Sequence, residues 1–192
     1  MRLFVAVEID PAVAEKISDF NDELRRKAMD HAARARITWV RREQLHVTVR
    51  FIGEVDAAQA AATAAALRPA LMVSRFEMIV EGAGAYPPTG APRVLWAGIG
   101  GGADAISALE REVSERLASC GVAREDRPYR PHLTLARVRD ASGLRSGPLF
   151  EKLADRRFGV TPVDAITLFE SQTSPKGATY VSLQRTPLSR SS

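Results

Sequence analysis

The chain has 192 residues and a mass of 20.9 kDa, a length that one compact domain or two small lobes sharing an interface accounts for. With 45% hydrophobic and 26% charged residues, 13 Gly and 11 Pro, its composition is that of a globular protein and excludes disordered, collagenous and fibrous classes. A net charge of +4 and a pI of about 9.6 lean towards polyanionic partners, and the basic residues are mostly arginines, whose forked guanidinium suits phosphate, although an excess this small is also what a solvated surface carries.

Arg2 to Ile9 is a short apolar run that reads as a buried strand, and Asp10 before Pro11 reads as a helix cap with proline in the first turn. The start MRLFVAVEIDP reaches Glu8 and Asp10 too soon for a signal peptide, and no apolar run nears the ~18 residues of a membrane helix. The expectation is a cytoplasmic protein with no membrane role. Val13, Ile17, Phe20 and Leu24 share one face of a helix expected to run to about Ala28, followed by a polar loop with His31. Strands are expected at Thr38 to Val40 and Leu45 to Phe51, broken by Gly53. Asp56 then caps an alanine-rich helix through Leu67.

A strand at Phe76 to Val80 precedes a turn-rich stretch, Gly82 to Pro92, read as a loop. Val94 to Ile99 is again an apolar strand. Gly100 to Gly102 make a turn, and Asp104 is expected to cap a helix carrying Ile106, Leu109, Val113 and Leu117, with Gly121 as its stop. Those glycines lack the spacing of a dinucleotide or P-loop motif, so a tight turn is the better reading than a phosphate site. Pro128 and Pro131 lead into a strand from His132 to Val138, Ser146 opens a short helix to Ala154, and strands follow at Ala165 to Ser171 and Thr179 to Leu183. Strand, helix, loop, histidine-bearing strand and helix thus occur twice. The fold class expected is α+β, a single bilobal domain over residues 1–192, duplicated about a pseudo-twofold axis, with antiparallel-rich sheets lining a central cleft and helices outside.

Two of the three histidines occupy matching places, in Leu45-His46-Val47-Thr48-Val49 and Pro131-His132-Leu133-Thr134-Leu135. On a strand, alternate side chains share a face, so His46 with Thr48, and His132 with Thr134, form polar faces on otherwise apolar strands. Such faces cost desolvation unless they line a wet groove. One His-x-Thr alone reads as a hydrogen-bonded core or edge pair. Two copies at equivalent steps of a duplicated chain point to one shared cleft. Zinc is the rival use of two histidines, but neither has a third ligand in phase, and the lone Cys120 provides neither a disulfide nor a cysteine zinc site.

With these motifs the sequence resembles the two-histidine phosphoesterases, and within them the RNA 2′,3′-cyclic phosphodiesterases also called 2′-5′ RNA ligases. The resemblance runs through RLFVAVEID, LHVTVRFIGEV, RPHLTLARV and LFESQTSPKGATYVSL, nearly the whole chain. It implies a cleft that uses no metal or other cofactor and opens 2′,3′-cyclic phosphates of RNA ends or nucleotides to 2′-phosphates. It also implies His46 as acid and His132 as water-activating base, with no obligate protein partner and a monomer expected. Two histidines near neutral pKa suit both proton-transfer roles, and the Thr48 and Thr134 hydroxyls can donate to nonbridging phosphate oxygens. Arg137 matches a basic position of the family, although strict alternation puts it opposite His132. Arg50 is in phase with His46 and Thr48 and is a phosphate candidate from periodicity. Arg130 faces the cleft mouth or solvent, Phe51 is expected in the core by alternation, with base stacking as its alternative, and Trp39 and Tyr86 are stacking candidates or packing anchors. Lys176, at an expected hairpin tip, has no assigned role.

Overall fold

The computed structural model describes residues 1–123, 125–174 and 177–190. The chain passes through β1 (Arg2–Glu8), α1 (Pro11–Ala32), β2 (Arg36–Trp39), a 3₁₀ turn (Arg42–Gln44) and β3 (His46–Glu54). It continues with α2 (Ala57–Leu67), β4 (Leu71–Ser74), β5 (Phe76–Tyr86), β6 (Val94–Ile99) and α3 (Ala103–Ala118). The last elements are β7 (His132–Asp140), α4 (Ser146–Phe150), β8 (Arg157–Val163), β9 (Ala165–Ser174) and β10 (Gly177–Ser189). The expected hairpin tip at Lys176 lies outside the described residues.

Local chemistry explains the helix starts. The Asp10 carboxylate accepts from the amides of Ala12 (2.9 Å) and Val13 (3.4 Å), and Asp56 accepts from Gln59 (2.8 Å), each satisfying amides that have no partner inside the helix. Helix α3 differs from the expectation. Its cap is Gly102 at φ +79°, where a Cβ would sit 2.6 Å from the Glu77 carbonyl oxygen, and Asp104 instead places its charge in the first turn. The glycine turn is bonded to β5, with Ile79 donating to the Gly101 carbonyl (2.9 Å) and Gly100 to that of Ile79 (3.0 Å). Helix α1 extends to Ala32 and so carries His31 in its last turn.

The ten strands follow the order β4-β10-β9-β1-β3-β7-β6-β5-β8, with β2 paired to β7. The order is symmetric about the β3–β7 join: β10-β9-β1-β3 on one side mirrors β8-β5-β6-β7 on the other, and every pairing within these halves is antiparallel. Helices α1 and α3 follow the equivalent strands β1 and β6. Each then packs on the other half, α1 against β8 and α4, α3 against β3 and β4, so the halves are cross-braced. The apolar faces read from the sequence, Val13, Ile17, Phe20 and Leu24 on α1 and Ile106, Leu109, Val113 and Leu117 on α3, all lie in one hydrophobic core. No helix among the described residues is long and apolar enough to cross a membrane.

Three expectations need correction. Residues 82–86 are strand, not loop: Ala83 and Ala85 are buried, and Gly84 is required because the Trp96 ring would lie 2.6 Å from a Cβ there. Strands β4 and β8 were not anticipated; both end the sheet, and β8 carries Gly159 and Pro162, which an edge strand tolerates. The helix from Ser146 stops at Phe150 instead of reaching Ala154.

Candidate active site

The two halves of the sheet meet at a single residue pair, Val47 opposite Leu133, both fully buried on the core side. Extending that antiparallel register by one residue sets His46 opposite Thr134 and Thr48 opposite His132, all four on the other face. The histidines are therefore diagonal neighbours across the pseudo-twofold axis. Diagonal cross-strand neighbours lie roughly 7–8 Å apart, within mutual reach of long side chains.

Beyond the threonines, strict alternation fails in both strands at the same step. On β3, Ala6 pairs with Thr48 but Val5 with Arg50, so Val49 and Arg50 together oppose one step of β1. On β7, Trp96 pairs with Thr134 but Leu95 with Ala136, leaving Leu135 as the extra residue. Each is a β-bulge three to four residues after its histidine. Both bulged residues point inward, with Val49 at 1%, Arg50 at 6%, and Leu135 and Ala136 at 0% exposure. The next residue of each strand consequently emerges on the histidine face: Phe51 on β3 and Arg137 on β7.

The bulges decide the fate of three sequence candidates. Arg137 joins His46, His132, Thr48 and Thr134, despite its apparent phase, and its charge acts on His46. Arg50 does not face the cleft. Its guanidinium turns towards the interior, 3.6 Å from Glu110 on α3, and donates to the Ala123 carbonyl. Phe51, expected in the core, is 46% exposed, with the Arg2 guanidinium 5.0 Å from its ring centroid. Trp39 packs against the core with Arg25 over its ring, Arg130 is exposed, and Tyr86 is half-buried beside His132.

The two imidazoles are held alike. His46 Nδ1 lies 2.7 Å from the Gln44 carbonyl and His132 Nδ1 2.8 Å from that of Arg130, in each case two residues back along the chain. A carbonyl only accepts, so Nδ1 carries the hydrogen, and in the neutral ring Nε2 is left with the lone pair. Nε2 of His46 is 3.1 Å from the Thr48 hydroxyl. Aromatic rings wall both sides: Phe4 (5.0 Å) and Tyr180 (5.4 Å) around His46, and Tyr86 (5.6 Å) against His132 with Trp96 behind it (5.3 Å). Phe4 and Tyr180 carried no signal in the sequence, because Phe4 sits in a uniformly apolar run and Tyr180 comes from a distant strand. Burial, above all, holds the His46 pKa below its ordinary 6.5; the Gln44 carbonyl pulls it back up, and the positive charges of Arg137 and His132 lower it further. A cavity of about 340 Å³ opens beside His46, walled by Glu8, Gln44, Phe169 and Tyr180. A larger one of about 640 Å³, between Arg75, Thr161 and Asp164, contains none of the paired motif residues. Among the described residues, no three His, Cys, Asp or Glu side chains converge as metal ligands.

Comparison with known proteins fits this geometry. The family described as the 2′-5′ RNA ligase superfamily matches residues 10–175. A protein of Aeropyrum pernix named RNA 2′,3′-cyclic phosphodiesterase is 36% identical over 142 residues, 73% of this chain and 80% of that protein. One of the same name from Archaeoglobus fulgidus is 32% identical over 188 residues, 96% and 98% of the two chains. A crystal structure of a Thermus thermophilus protein superposes with a TM-score of 0.76 at 25% identity over 98% of each chain. That of E. coli LigT with 3′-AMP, at 0.74 and 24% identity over 98% of each chain, shares the fold. A duplicated sheet with paired His-x-Thr strands, together with these matches, places the chain in the 2′-5′ RNA ligase superfamily.

Proposed function

We propose that this chain is an RNA 2′,3′-cyclic phosphodiesterase, with His46 and His132 as its catalytic pair and Thr48, Thr134 and Arg137 as its phosphate contacts. The observation that carries the reading is the pair of His-x-Thr faces joined across one residue pair, each imidazole tethered through Nδ1, which leaves Nε2 as the nitrogen for proton transfer, with that of His46 beside the Thr48 hydroxyl. The relatives' shared name supplies the substrate: a 2′,3′-cyclic phosphate on an RNA end or nucleotide.

A water attacks phosphorus while His132 Nε2 takes its proton. The bond from phosphorus to O3′ breaks, and O3′ leaves with the proton from His46 Nε2, giving a 2′-phosphomonoester and a 3′-hydroxyl. Thr48 and Thr134 hydroxyls and the Arg137 guanidinium meet the charge on the nonbridging oxygens. In the free cleft, burial and Arg137 keep His46 neutral at pH 7. The anionic phosphate restores its proton by favouring imidazolium, so the acid is charged as substrate arrives. Phe51, exposed on the cleft face, offers a flat surface on which a nucleobase stacks. The same two histidines in the same roles serve ligation, in which a 5′-hydroxyl takes the place of water: His132 accepts its proton, P–O3′ breaks with O3′ protonated by His46, and a 2′-5′ linkage forms, with exchanged roles for cleavage of that linkage; the family description favours this as a second activity.

The test is incubation of the protein with a 2′,3′-cyclic nucleotide in EDTA, followed by chromatography. A 2′-phosphomonoester is expected. No product at high enzyme concentration would sink the phosphodiesterase reading and leave a module that holds RNA ends without turnover; activity abolished by EDTA would replace the two-histidine mechanism with a metal-dependent one.

A further inference from the structure

The β3–β7 join leaves a mechanical problem at the centre of the cleft. Two catalytic strands joined in the ladder at one pair depend on contacts outside it, the cross-bracing helices among them, to fix their relative register. The structure contains a second connection that lies outside the ladder. Tyr129, three residues before His132, reaches back across the join, and its hydroxyl donates to the main-chain carbonyl of Thr48 at 2.7 Å. It therefore ties the segment that delivers the second histidine to the residue beside the first. The Tyr129 ring is packed against the hydrophobic core, and Glu110 of α3 lies close enough for its charge to act on the phenol. Burial first, and Glu110 second, raise the Tyr129 pKa well above its ordinary 10.0, so the hydroxyl remains a donor at every working pH. The equivalent position three residues before His46 is Glu43, which pairs with Arg41 instead, so the tie has no counterpart across the pseudo-twofold axis.

We propose that Tyr129 is a positioning residue of the active site, holding the strand of His46 and Thr48 in register with His132 through the Thr48 carbonyl. The inference rests on the phosphodiesterase reading for its kinetic consequences but not for its structural ones. Thr48 has its hydroxyl in contact with His46 Nε2 and its carbonyl in contact with Tyr129, so loosening one end of this residue moves the other. Loss of the tie lets water reach His46, whose depressed pKa comes chiefly from burial.

The variant is Tyr129→Phe, which keeps the ring in the core and removes only the hydroxyl. The expected result is a fall in kcat of about tenfold with KM within about twofold, the pattern of an interaction needed in the transition state and not for ground-state binding. In a double-mutant cycle with Thr48→Val, the double variant should lose little more than Thr48→Val alone, since Tyr129 acts through Thr48. Imidazole ¹H–¹⁵N spectra supply a readout independent of turnover: in Tyr129→Phe the His46 titration should move up towards 6.5. Unchanged kcat and an unchanged His46 titration, accompanied only by a lower Tm, would reduce Tyr129 to a packing residue and overturn the proposal. Strictly additive losses in the cycle would overturn it too. Wild-type protein without turnover would sink the phosphodiesterase reading instead, and the imidazole spectra would still decide the role of Tyr129.

Discussion

Arg50 separates the strand-periodicity reading from the structure most sharply, because the two expect different failures. If Arg50 contacted phosphate, Arg50→Met would weaken substrate binding. In the structure it leaves the Glu110 carboxylate, 14% exposed, without its cation and removes the donor to the Ala123 carbonyl. Removing one partner of a buried pair costs about 3–5 kcal/mol. Ser114 also donates to Glu110 and the guanidinium stands 3.6 Å away, which places the loss at the lower end, about 3 kcal/mol. For a chain of this length, each kcal/mol moves Tm by roughly 2–4 °C, so a fall of roughly 6–12 °C is expected in thermal unfolding followed by circular dichroism. Adding Glu110→Leu should recover most of it, because two apolar side chains replace the pair without leaving a buried charge. Michaelis curves on the folded variant should show KM near wild type. An unchanged Tm together with a KM about tenfold higher, equivalent to about 1.4 kcal/mol of lost binding, would refute the inward bulge.

His46→Ala and His132→Ala should each lower kcat/KM by about 100-fold or more in a cyclic-nucleotide assay, since general acid and base contributions are typically 10²–10⁴-fold; near wild-type turnover in either variant would rule out the pair. The pH profile of kcat/KM should be bell-shaped, its limbs reporting macroscopic pKa values of the histidine pair, and the alkaline limb should lie at higher pH in the kcat profile, because bound phosphate favours the protonated acid. Stability should follow the same group: with the folded pKa below 6.5, the unfolded chain binds more protons as pH falls under that value, so Tm drops on acidification and drops less in His46→Gln. Phe51→Ala should weaken binding of an RNA 2′,3′-cyclic end by about 1–3 kcal/mol if a base stacks there, measured as KM, while costing little stability because the ring is already 46% exposed.

Much of this protein was legible in the chain because the signals were local. The caps at Asp10 and Asp56 and the apolar faces of α1 and α3 depend on residues within a few positions of one another, and they fold as the periodicity reads. The paired His-x-Thr motifs were visible for the same reason, and their equivalent places in a duplicated order were enough to put both histidines in one cleft. Alternation beyond Thr48 and Thr134 was not local. Whether residue five after each histidine faces the core or the groove depends on a bulge, and a bulge is defined by the neighbouring strand: β1 skips Val49, and β6 skips Leu135. One inserted residue reverses the side chains that directly follow it. That reversal sends Arg50 to Glu110 and brings Phe51 and Arg137 to the histidine-bearing face. Tyr129 on the Thr48 carbonyl and Phe4 and Tyr180 around His46 are likewise contacts between distant segments, created only when the sheet assembles. The chain by itself determined which groups are candidates for the chemistry; strand pairing decided which side chains surround them, because the facing of a strand residue is a property of two strands and not of one.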